Sequence, residues 1–220
     1  MRIQLTISPN KQPVSFDYQQ KIVGTIHRWI GENDIHGDVS LYSFSWLNNA
    51  KIDNGYLSFP NGTSMFISFH DETMIKRIIS SIIDKPNMFC GMYVTDITLV
   101  NTPDLSQKST FNCASPILVK RNQPDGTSKQ YSYNDLETSE LMKETLKTKM
   151  KHAGLEEDKT LEIRFDSSYS KKKTKLVHYH NIGNKANVCP IIIIGKTETK
   201  EFAWNVGIGN CTGIGFGAIY

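Results

Sequence analysis

The last fourteen residues of the chain hold five of its fifteen glycines, and this density of glycine limits the possible folds more than any other feature. Glycine has no Cβ, so such a run takes backbone conformations with positive φ and lets a ligand approach closely. Successive exposed N–H groups in the run can line a concavity that binds phosphate. We therefore predict a ligand-binding loop, here called the glycine segment, whose glycines are Gly207, Gly209, Gly213, Gly215 and Gly217.

The spacing of these glycines does not match two common nucleotide-binding motifs. Thr212 stands where the dinucleotide-binding fingerprint requires glycine. Gly195-Lys196-Thr197 resembles the end of a phosphate-binding P-loop, but the glycine required five residues earlier is Pro190. We therefore predict that the protein uses no nucleotide cofactor.

Length, charge and cysteine usage narrow the class of protein. The 220 residues have room for one large domain or for two of about 100 residues each. A net charge of +3 is compatible with RNA binding. Residues 1–10 lack the apolar stretch of a signal peptide, and the longest aliphatic run, Ile191–Ile194, is too short to cross a bilayer. The four cysteines form no C-x-x-C pair, so we expect reduced thiols in a cytoplasmic protein without a zinc site.

The first half of the chain has the element order of a ferredoxin-like domain. Arg2–Ser8 alternates as a half-buried strand, and a helix is expected from about Asp17 to Ile30. Asp71–Ile83 repeats apolar pairs every four residues, as an amphipathic helix does. The remaining predicted strands are Leu41–Leu47, Tyr56–Phe59, Met65–Phe69 and Met88–Val100. The order β-α-β-β-α-β is typical of an RRM-type domain.

The second half repeats this order loosely. Asn134 and Glu137 predict a capping box at the start of a helix that runs to Met150. A hairpin is predicted around Ile182–Asn184, between Thr174–His180 and Val188–Ile194. The other predicted elements are the strand Phe111–Lys120, interrupted by Pro116, the strand Leu161–Phe165 and the helix Lys200–Val206. We therefore predict an α+β fold of two tandem ferredoxin-like (RRM-like) domains packed side by side, over residues 1–104 and 105–220.

Three motifs in this order resemble a known family. A short helix, Gly-x-Gly, a polar insert and Gly-x-Gly-Phe-Gly before a last strand resemble the C-terminal signature of the RAMP superfamily, the RNA-binding proteins of CRISPR systems. Leu41–Trp46 and Ala114–Val119 resemble two strand motifs of its endoribonucleases that cut CRISPR repeat transcripts. The similarity spans nearly the whole chain. It implies two RRM-like folds with the glycine-rich loop at the cleft between them.

Two histidines are candidates for proton transfer in RNA cleavage, for which imidazole has a suitable pKa of about 6.5. His27 lies roughly 85° from the centre of the apolar stripe of its helix, so it can point into a cleft. His36 lies in the loop after that helix. The resemblance implies that His36 is catalytic and that His27 matches a second family position occupied by His or Tyr. The residues alone leave two alternatives open: that His27 is a half-buried structural side chain, and that His36 is a solvated side chain without a role in catalysis.

This chain differs from the family at a position that stabilises negative charge on the phosphate of the cleaved RNA. Several members carry a lysine where this chain has Ser40. The resemblance therefore leaves this role to the amides of the glycine segment or to a lysine from another part of the chain.

A lysine cluster before Tyr179 is a candidate RNA contact, because lysines bind phosphate and aromatic rings stack on bases. A solvated sheet edge protected by lysine is the alternative. His178 and His180 could share a strand face, but no third metal ligand lies nearby, so no metal site is predicted. The predicted RNA-binding residues are Lys171, Lys172, Lys173, Lys175, Tyr179, Gly207, Gly209, Asn210, Gly213 and Gly215.

Taken together, motifs and resemblance predict a metal-independent endoribonuclease that cuts precursor CRISPR RNA within its repeats, leaving a 2′,3′-cyclic phosphate and a 5′-hydroxyl. The alternative is a non-catalytic RAMP-type protein that holds CRISPR RNA in an effector complex. A third interpretation, a small-molecule enzyme, predicts heat stabilisation by nucleotides. The expected partner is CRISPR repeat RNA, and the resemblance also allows effector-complex subunits or a second copy of the chain in a homodimer.

Overall fold

The computed structural model describes residues 1–31 and 39–220. In its first part, six strands and two helices follow in the order β1, α1, β2, β3, β4, β5, α2, β6. Their bounds are β1 Arg2–Ile7, α1 Gln19–Ile30, β2 Tyr42–Phe44, β3 Lys51–Asp53, β4 Tyr56–Ser58, β5 Thr63–Phe69, α2 Glu72–Asp84 and β6 Val94–Val100.

Four of these strands form an antiparallel sheet in the order β2-β5-β1-β6, which is the strand order of a ferredoxin-like domain. In its centre, Leu5 of β1 lies opposite Met65 and Ile97. The apolar stripes of α1 and α2, which include Ile26 and Ile78, pack on the face of the sheet that Leu5 occupies. β3 and β4 form a separate hairpin beside this sheet.

The ends of these elements follow from local chemistry. α1 stops at Gly31, which has a positive φ of 74°. Asp71 caps α2 by accepting a hydrogen bond from the Thr73 backbone N–H at 2.8 Å. The predicted strand Met88–Val100 is shorter than expected, because Cys90 and Gly91 take positive φ and turn the chain before β6 begins.

The second part contains seven strands and two helices in the described chain. Their bounds are β7 Thr110–Phe111, β8 Val119–Asn122, β9 Ser128–Tyr131, α3 Thr138–His152, β10 Glu162–Phe165, β11 Lys173–Tyr179, β12 Ile182–Val188, β13 Ile191–Ile194 and α4 Thr197–Val206. The sheet order is β10-β13-β7, and a bridge from Cys113 to Ile219 adds the last residues of the chain beside β7. The predicted α+β fold of two tandem ferredoxin-like domains is confirmed.

Two local predictions in this part are wrong. Asn134 and Glu137 do not form a capping box: α3 begins at Thr138, and the Asn134 backbone N–H is bound to Ser132 Oγ in the preceding turn. The predicted pairing of the hairpin is also wrong, because β11 pairs with β12 through a turn at His180–Asn181. β13 lies instead between β10 and β7, where its alternate isoleucines are buried.

Each part has its own hydrophobic core. Leu105 belongs to the second core. We therefore propose that the boundary between the two domains lies at Asp104–Leu105, as the sequence indicated. None of the helices in residues 1–31 and 39–220 has the length and apolarity that crossing a bilayer requires.

Arg2 joins the two domains through a buried guanidinium. Its side chain, only 5% exposed, donates to Ser68 Oγ at 2.6 Å, Trp204 O at 3.0 Å and Ile219 O at 2.8 Å. The guanidinium carbon also lies 3.5 Å from the ring centroids of Phe66 and Trp204, one from each domain. Burial lowers the pKa of Arg2 to about 9, so the group is still charged at neutral pH.

Candidate functional site

The glycine segment leaves α4 and folds back against the first domain. α4 ends at Gly207 with φ of 75°, and a short 3₁₀ turn spans Thr212–Ile214. At Gly213 a Cβ would lie only 3.0 Å from both Ser40 Cβ and Tyr42 Oη, so a side chain there would push the two domains apart. Gly213 is therefore required by the close approach of its backbone to the first domain.

A histidine and a tyrosine of the first domain contact Gly213. The Tyr42 hydroxyl donates to Gly213 O at 3.0 Å. His27 Nε2 lies 3.4 Å from the same carbonyl oxygen and 3.3 Å from Tyr42 Oη. Because α1 buries Ile26 and Ile30, the neighbouring His27 comes to the edge of the buried face and is half-buried. His27 thus reaches the glycine segment of the second domain.

The surroundings of His27 Nε2 indicate which ring nitrogen carries the proton in the neutral imidazole. Gly213 O can only accept a hydrogen bond, and the hydroxyl proton of Tyr42 is already donated to it. With the Tyr42 proton on Gly213 O, a proton on Nε2 lets His27 donate to either oxygen. In neutral His27, Nδ1 is then the nitrogen with the lone pair.

The phenols of Tyr42 and Tyr179 lie beside this contact. Burial raises the pKa of Tyr42, and the proximity of Tyr179 raises it further. Burial also raises the pKa of Tyr179. Both phenols are therefore neutral near pH 7, and they can donate hydrogen bonds but cannot act as bases.

A cleft of about 560 Å³ opens beside the glycine segment. Ser40 of the first domain and Lys120, Arg121 and Asn210 of the second are among its lining residues. The Asn210 side chain accepts from the Lys120 backbone N–H at 2.9 Å, and this bond fixes the segment to β8. Arg121 is held by Glu144 at 3.1 Å. Three basic residues therefore line the cleft, Lys120, Arg121 and Lys149, and Arg121 is the one paired with an acid. The volume of the cleft suits part of an RNA strand.

Comparison with known proteins identifies the family of this chain. The C-terminal domain profile of the CRISPR-associated protein Cas6 matches residues 100–220, which is more than half of the chain. The chain belongs to the Cas6 family. Membership associates it with the processing or binding of CRISPR RNA.

Individual Cas6-type relatives are distant in sequence and close in fold. A CRISPR-associated endoribonuclease-like protein, Cas6nc, from Pyrococcus horikoshii is 23% identical over 185 residues, which cover 76% of this chain and 72% of the relative. The structure of a Cas6-related gene product from Pyrococcus furiosus superposes with a TM-score of 0.88 at 20% identity, covering 100% and 97% of the two chains. A RAMP protein described as binding different RNA substrates superposes with a TM-score of 0.87 at 19% identity, covering 100% and 98%.

The predicted catalytic pair falls partly outside the described residues. His27 contacts Gly213, whereas His36 lies in residues 32–38, which the structure does not describe. Ser40, four residues after His36 in the sequence, lines the cleft. Thr212 Oγ1 donates to Ser40 O at 3.5 Å. The catalytic role of both histidines in this Cas6-family chain stays a prediction.

The predicted RNA-binding residues of the glycine segment divide into two groups. Gly209, Asn210 and Gly213 line the cleft. Gly207 packs against Ser43 of β2, and Gly215 is buried against the Phe44 ring, so their contribution here is to backbone geometry. Direct RNA contact therefore stays a prediction for the cleft-lining group.

The lysine cluster and Tyr179 lie at opposite ends of one strand. Lys171 and Lys172 precede β11, and Lys173, Lys175 and Tyr179 belong to it. Lys175 Nζ lies 4.4 Å from the centroid of Trp46, whose Nε1 donates to Gly215 O at 2.8 Å. Burial lowers the pKa of Lys175. β11 thus extends from the lysine cluster, past the glycine segment, to the phenol beside Tyr42.

The two histidines at the end of this hairpin do not share a strand. His178 is in β11, but His180 lies in the turn with φ of 47°. Within the described part of the chain, no group of three or more His, Cys, Asp or Glu side chains is arranged to hold a metal ion.

Sequence reasoning missed several residues that the fold brings to the site. Tyr42 lies inside the Leu41–Trp46 motif, where strand alternation could have indicated a buried phenol, but its partner Gly213 is 171 residues away. Lys120 and Arg121 carry no local signal of a cleft. Lys149 has the spacing of a solvated helix lysine, yet it is buried beneath the glycine segment.

Proposed function

We propose that this Cas6-family protein is a metal-independent endoribonuclease that cuts precursor CRISPR RNA within its repeats. The ribose 2′-oxygen attacks the adjacent phosphorus, and the bond from phosphorus to the 5′-oxygen breaks. The products are a 2′,3′-cyclic phosphate and a 5′-hydroxyl. The observation that carries the proposal is the contact between His27 of the first domain and Gly213 of the second.

Two proton transfers are needed, and we assign them to two histidines. We assign acceptance of the 2′-hydroxyl proton to His27, which reaches the glycine segment at Gly213 O. His36 then donates a proton to the leaving 5′-oxygen. Lys120 and the amides of the glycine segment are the groups we assign to the charge that develops on the phosphate, since Ser40 replaces the family lysine.

Incubation of the protein with its own repeat transcript in EDTA tests this function. We expect cutting at one position in each repeat, with a 3′ end that accepts no adapter until the cyclic phosphate is opened and removed. A transcript with 2′-deoxyribose at the mapped position should bind without being cut, because it lacks the nucleophile. Loss of cutting in EDTA, or cutting of the deoxy transcript at that position, would contradict the mechanism.

A non-catalytic RNA-binding protein is the second candidate, and one observation favours it. The bonds of His27 Nε2 to Gly213 O and Tyr42 Oη are also those of a structural histidine that ties α1 to the glycine segment. This candidate predicts tight, salt-sensitive binding of CRISPR RNA and no product in any buffer.

Replacing Lys171 and Lys173 together by alanine is expected to weaken RNA binding and its dependence on salt. Both side chains are exposed, whereas Lys172 is held by Ser167 O at 2.9 Å. For a single strand, each phosphate that a lysine no longer neutralises lowers the slope of log K against log salt by about 0.7, so the pair should lower it by about 1.4. Filter-binding titrations over a range of salt concentrations measure this slope.

The control removes the same charge from elsewhere on the surface. Lys76 on α2 and Lys159 before β10 are also exposed. Their double alanine variant should keep the slope of the unmodified protein. Equal slopes for the two double variants would show that the hairpin lysines do not contact RNA.

A further inference from the structure

Lys149 of α3 is a buried lysine that contacts the start and the middle of the glycine segment. Its side chain is 5% exposed. Nζ donates to Val206 O and Gly207 O at 3.2 Å each, where α4 ends, and to Thr212 Oγ1 at 3.1 Å, where the 3₁₀ turn begins. The three protons of an ammonium group are therefore all used.

Thr212 links Lys149 to the first domain by hydrogen bonds. Its hydroxyl accepts from Lys149 Nζ, and its own proton is donated to Ser40 O at 3.5 Å. Ser40 lies four residues after His36 in the sequence and lines the cleft. A chain of hydrogen bonds thus runs from α3, through the glycine segment, to the residues that follow His36.

Proton counting shows that this chain depends on the charge of Lys149. A neutral amine has two N–H groups and one lone pair, so it can still donate to Val206 O and Gly207 O. Its lone pair can then accept a hydrogen bond, and the Thr212 hydroxyl is the donor in contact with it. Thr212 has a single proton, so donating it to Nζ removes the bond to Ser40 O.

We propose that Lys149 is a positioning residue of the RNA site: the charged group holds Thr212 so that its hydroxyl joins the glycine segment to Ser40, and loss of the proton breaks this bridge. The effect on cleavage rests on the proposed function, whereas the bridge is a property of the free protein. Lys149 itself does not touch the reacting atoms in this account.

The pKa of Lys149 lies close to neutral pH. Burial lowers its pKa from 10.5 to about 7, and the nearby Cys211 opposes this by raising the pKa. The charged groups on the cleft beside it are Lys120, Arg121 and Glu144. His27 and Tyr42 face the segment from the first domain, through Gly213.

The lowered pKa of Lys149 also predicts the direction in which the stability of the protein changes with pH. In the unfolded chain Lys149 keeps its proton up to its ordinary pKa, so between about pH 7 and pH 10 the unfolded state binds more protons than the folded state. The free energy of unfolding should therefore rise with pH across this window. Lys149→Met should lose this rise, which thermal melts over a pH series would measure.

The chain offers a matched control for this substitution. Lys200 of α4 is also a buried lysine of the second domain, and its Nζ donates to Leu105 O, Ser106 O and Lys108 O at 2.9, 2.9 and 3.0 Å. None of these acceptors belongs to the glycine segment. Lys200→Met therefore removes a buried ammonium with three acceptors without cutting the bridge.

The decisive experiment compares Lys149→Met, Thr212→Val and their double variant with Lys200→Met. At a pH below 7, Lys149→Met and Thr212→Val should each slow cleavage by about tenfold, the rate equivalent of about 1.4 kcal/mol. The double variant should be no slower than either single variant, because both cut one chain of bonds. Lys200→Met should leave the rate unchanged, and combined with Thr212→Val it should give the Thr212→Val rate.

A readout without RNA separates this inference from the proposed function. The indole N–H of Trp46 bonds Gly215 O, so its NMR resonance reports on the glycine segment. It should titrate with a midpoint near 7 in the unmodified protein and in Lys200→Met, and this step should be absent in Lys149→Met.

Three results would overturn the role of Lys149. The first is a pH titration of the Trp46 resonance that persists in Lys149→Met. The second is a double variant whose loss of cleavage rate is the product of the two single losses. The third is an equal loss of cleavage rate in Lys149→Met and Lys200→Met. If Lys149→Met fails to fold, Thr212→Val removes the same bridge with a side chain of similar volume, and an unchanged rate in that variant contradicts the proposal. A protein that cuts no RNA but shows the titration refutes only the nuclease function.

Discussion

Replacing His27 by alanine should slow single-turnover cleavage of repeat RNA by about 10²- to 10⁴-fold, the usual contribution of one general acid or base. The dissociation constant for uncut RNA should change little, because we assign the phosphate contacts to the lysine cluster and the cations of the cleft rather than to His27. The rate should be measured with enzyme in excess over RNA, so that product release does not limit it. His178→Ala, at an exposed histidine of β11, is the control and should cut at the normal rate.

A second substitution at this position separates proton transfer from structure. His27→Gln places an amide N–H near the position of Nε2, so it can still donate to Gly213 O, but it cannot take up a proton. We expect His27→Gln to be as slow as His27→Ala, with a melting temperature closer to that of the unmodified protein. Recovery of cutting in His27→Gln would show that His27 has only a structural role.

The pH dependence assigns the two proton-transfer roles. With His27 as the base and His36 as the acid, the rate should be bell-shaped. His27→Ala should lose the limb that rises from low pH, and His36→Ala should lose the limb that falls at high pH. The opposite assignment of the limbs would exchange the two roles.

Replacing Arg2 by methionine should cause the largest loss of stability among the variants considered. The substitution leaves Trp204 O and Ile219 O without their buried donor and removes the cation from between Phe66 and Trp204. Buried acceptors left without a partner cost about 1–3 kcal/mol each, and part of this is offset because a charge no longer has to be buried. We expect a net loss of about 3 kcal/mol, or roughly 6–12 °C in melting temperature for a chain of this length.

Arg28→Met is the matched control for this prediction. Arg28 is exposed on α1 and donates to Asn87 O. Thermal melts followed by circular dichroism should show a small change for this variant, below about 1 kcal/mol. Equal losses for the two variants would mean that the contacts of Arg2 between the domains do not hold them together.

Sequence patterns predicted the first domain well because its elements are long and periodic. The alternation of β1 and the first member of each apolar pair of α2 appear in the structure as buried faces, although Ile83 is exposed. The predicted end of the first helix, Ile30, is also the last residue of α1. These signals lie within one helix or strand, so no tertiary information is needed to detect them.

The errors lie where tertiary contacts decide between local alternatives. Asn134 and Glu137 have the spacing of a capping box, but the Asp135 carboxylate binds the Ser132 hydroxyl at 2.9 Å and forms a turn before the helix. Val188–Ile194 reads as one strand, yet β12 ends at Val188 and β13 begins at Ile191, on different partners. Periodicity cannot show which partner a strand chooses.

The site depends even more on contacts between residues far apart in the sequence. His27 and Gly213 are 186 residues apart. Their proximity was predicted from the resemblance to a family, because no local sequence pattern links them. The lysine-rich sequence of α3 by itself favours a solvated position for Lys149, because lysine is rarely fully buried. Only the position of α3 beneath the glycine segment shows that its ammonium is bound there.

The central claim is that one RNA surface includes His27 of the first domain and the glycine segment of the second. NMR titration with repeat RNA carrying 2′-deoxyribose at the mapped position tests it most directly. We predict that the imidazole resonances of His27 and the amide resonances of Gly209 and Gly213 shift together, with one dissociation constant, while His152 at the end of α3 does not respond. Shifts confined to the β11–β12 hairpin, with His27 and the glycine segment unchanged, would contradict the account.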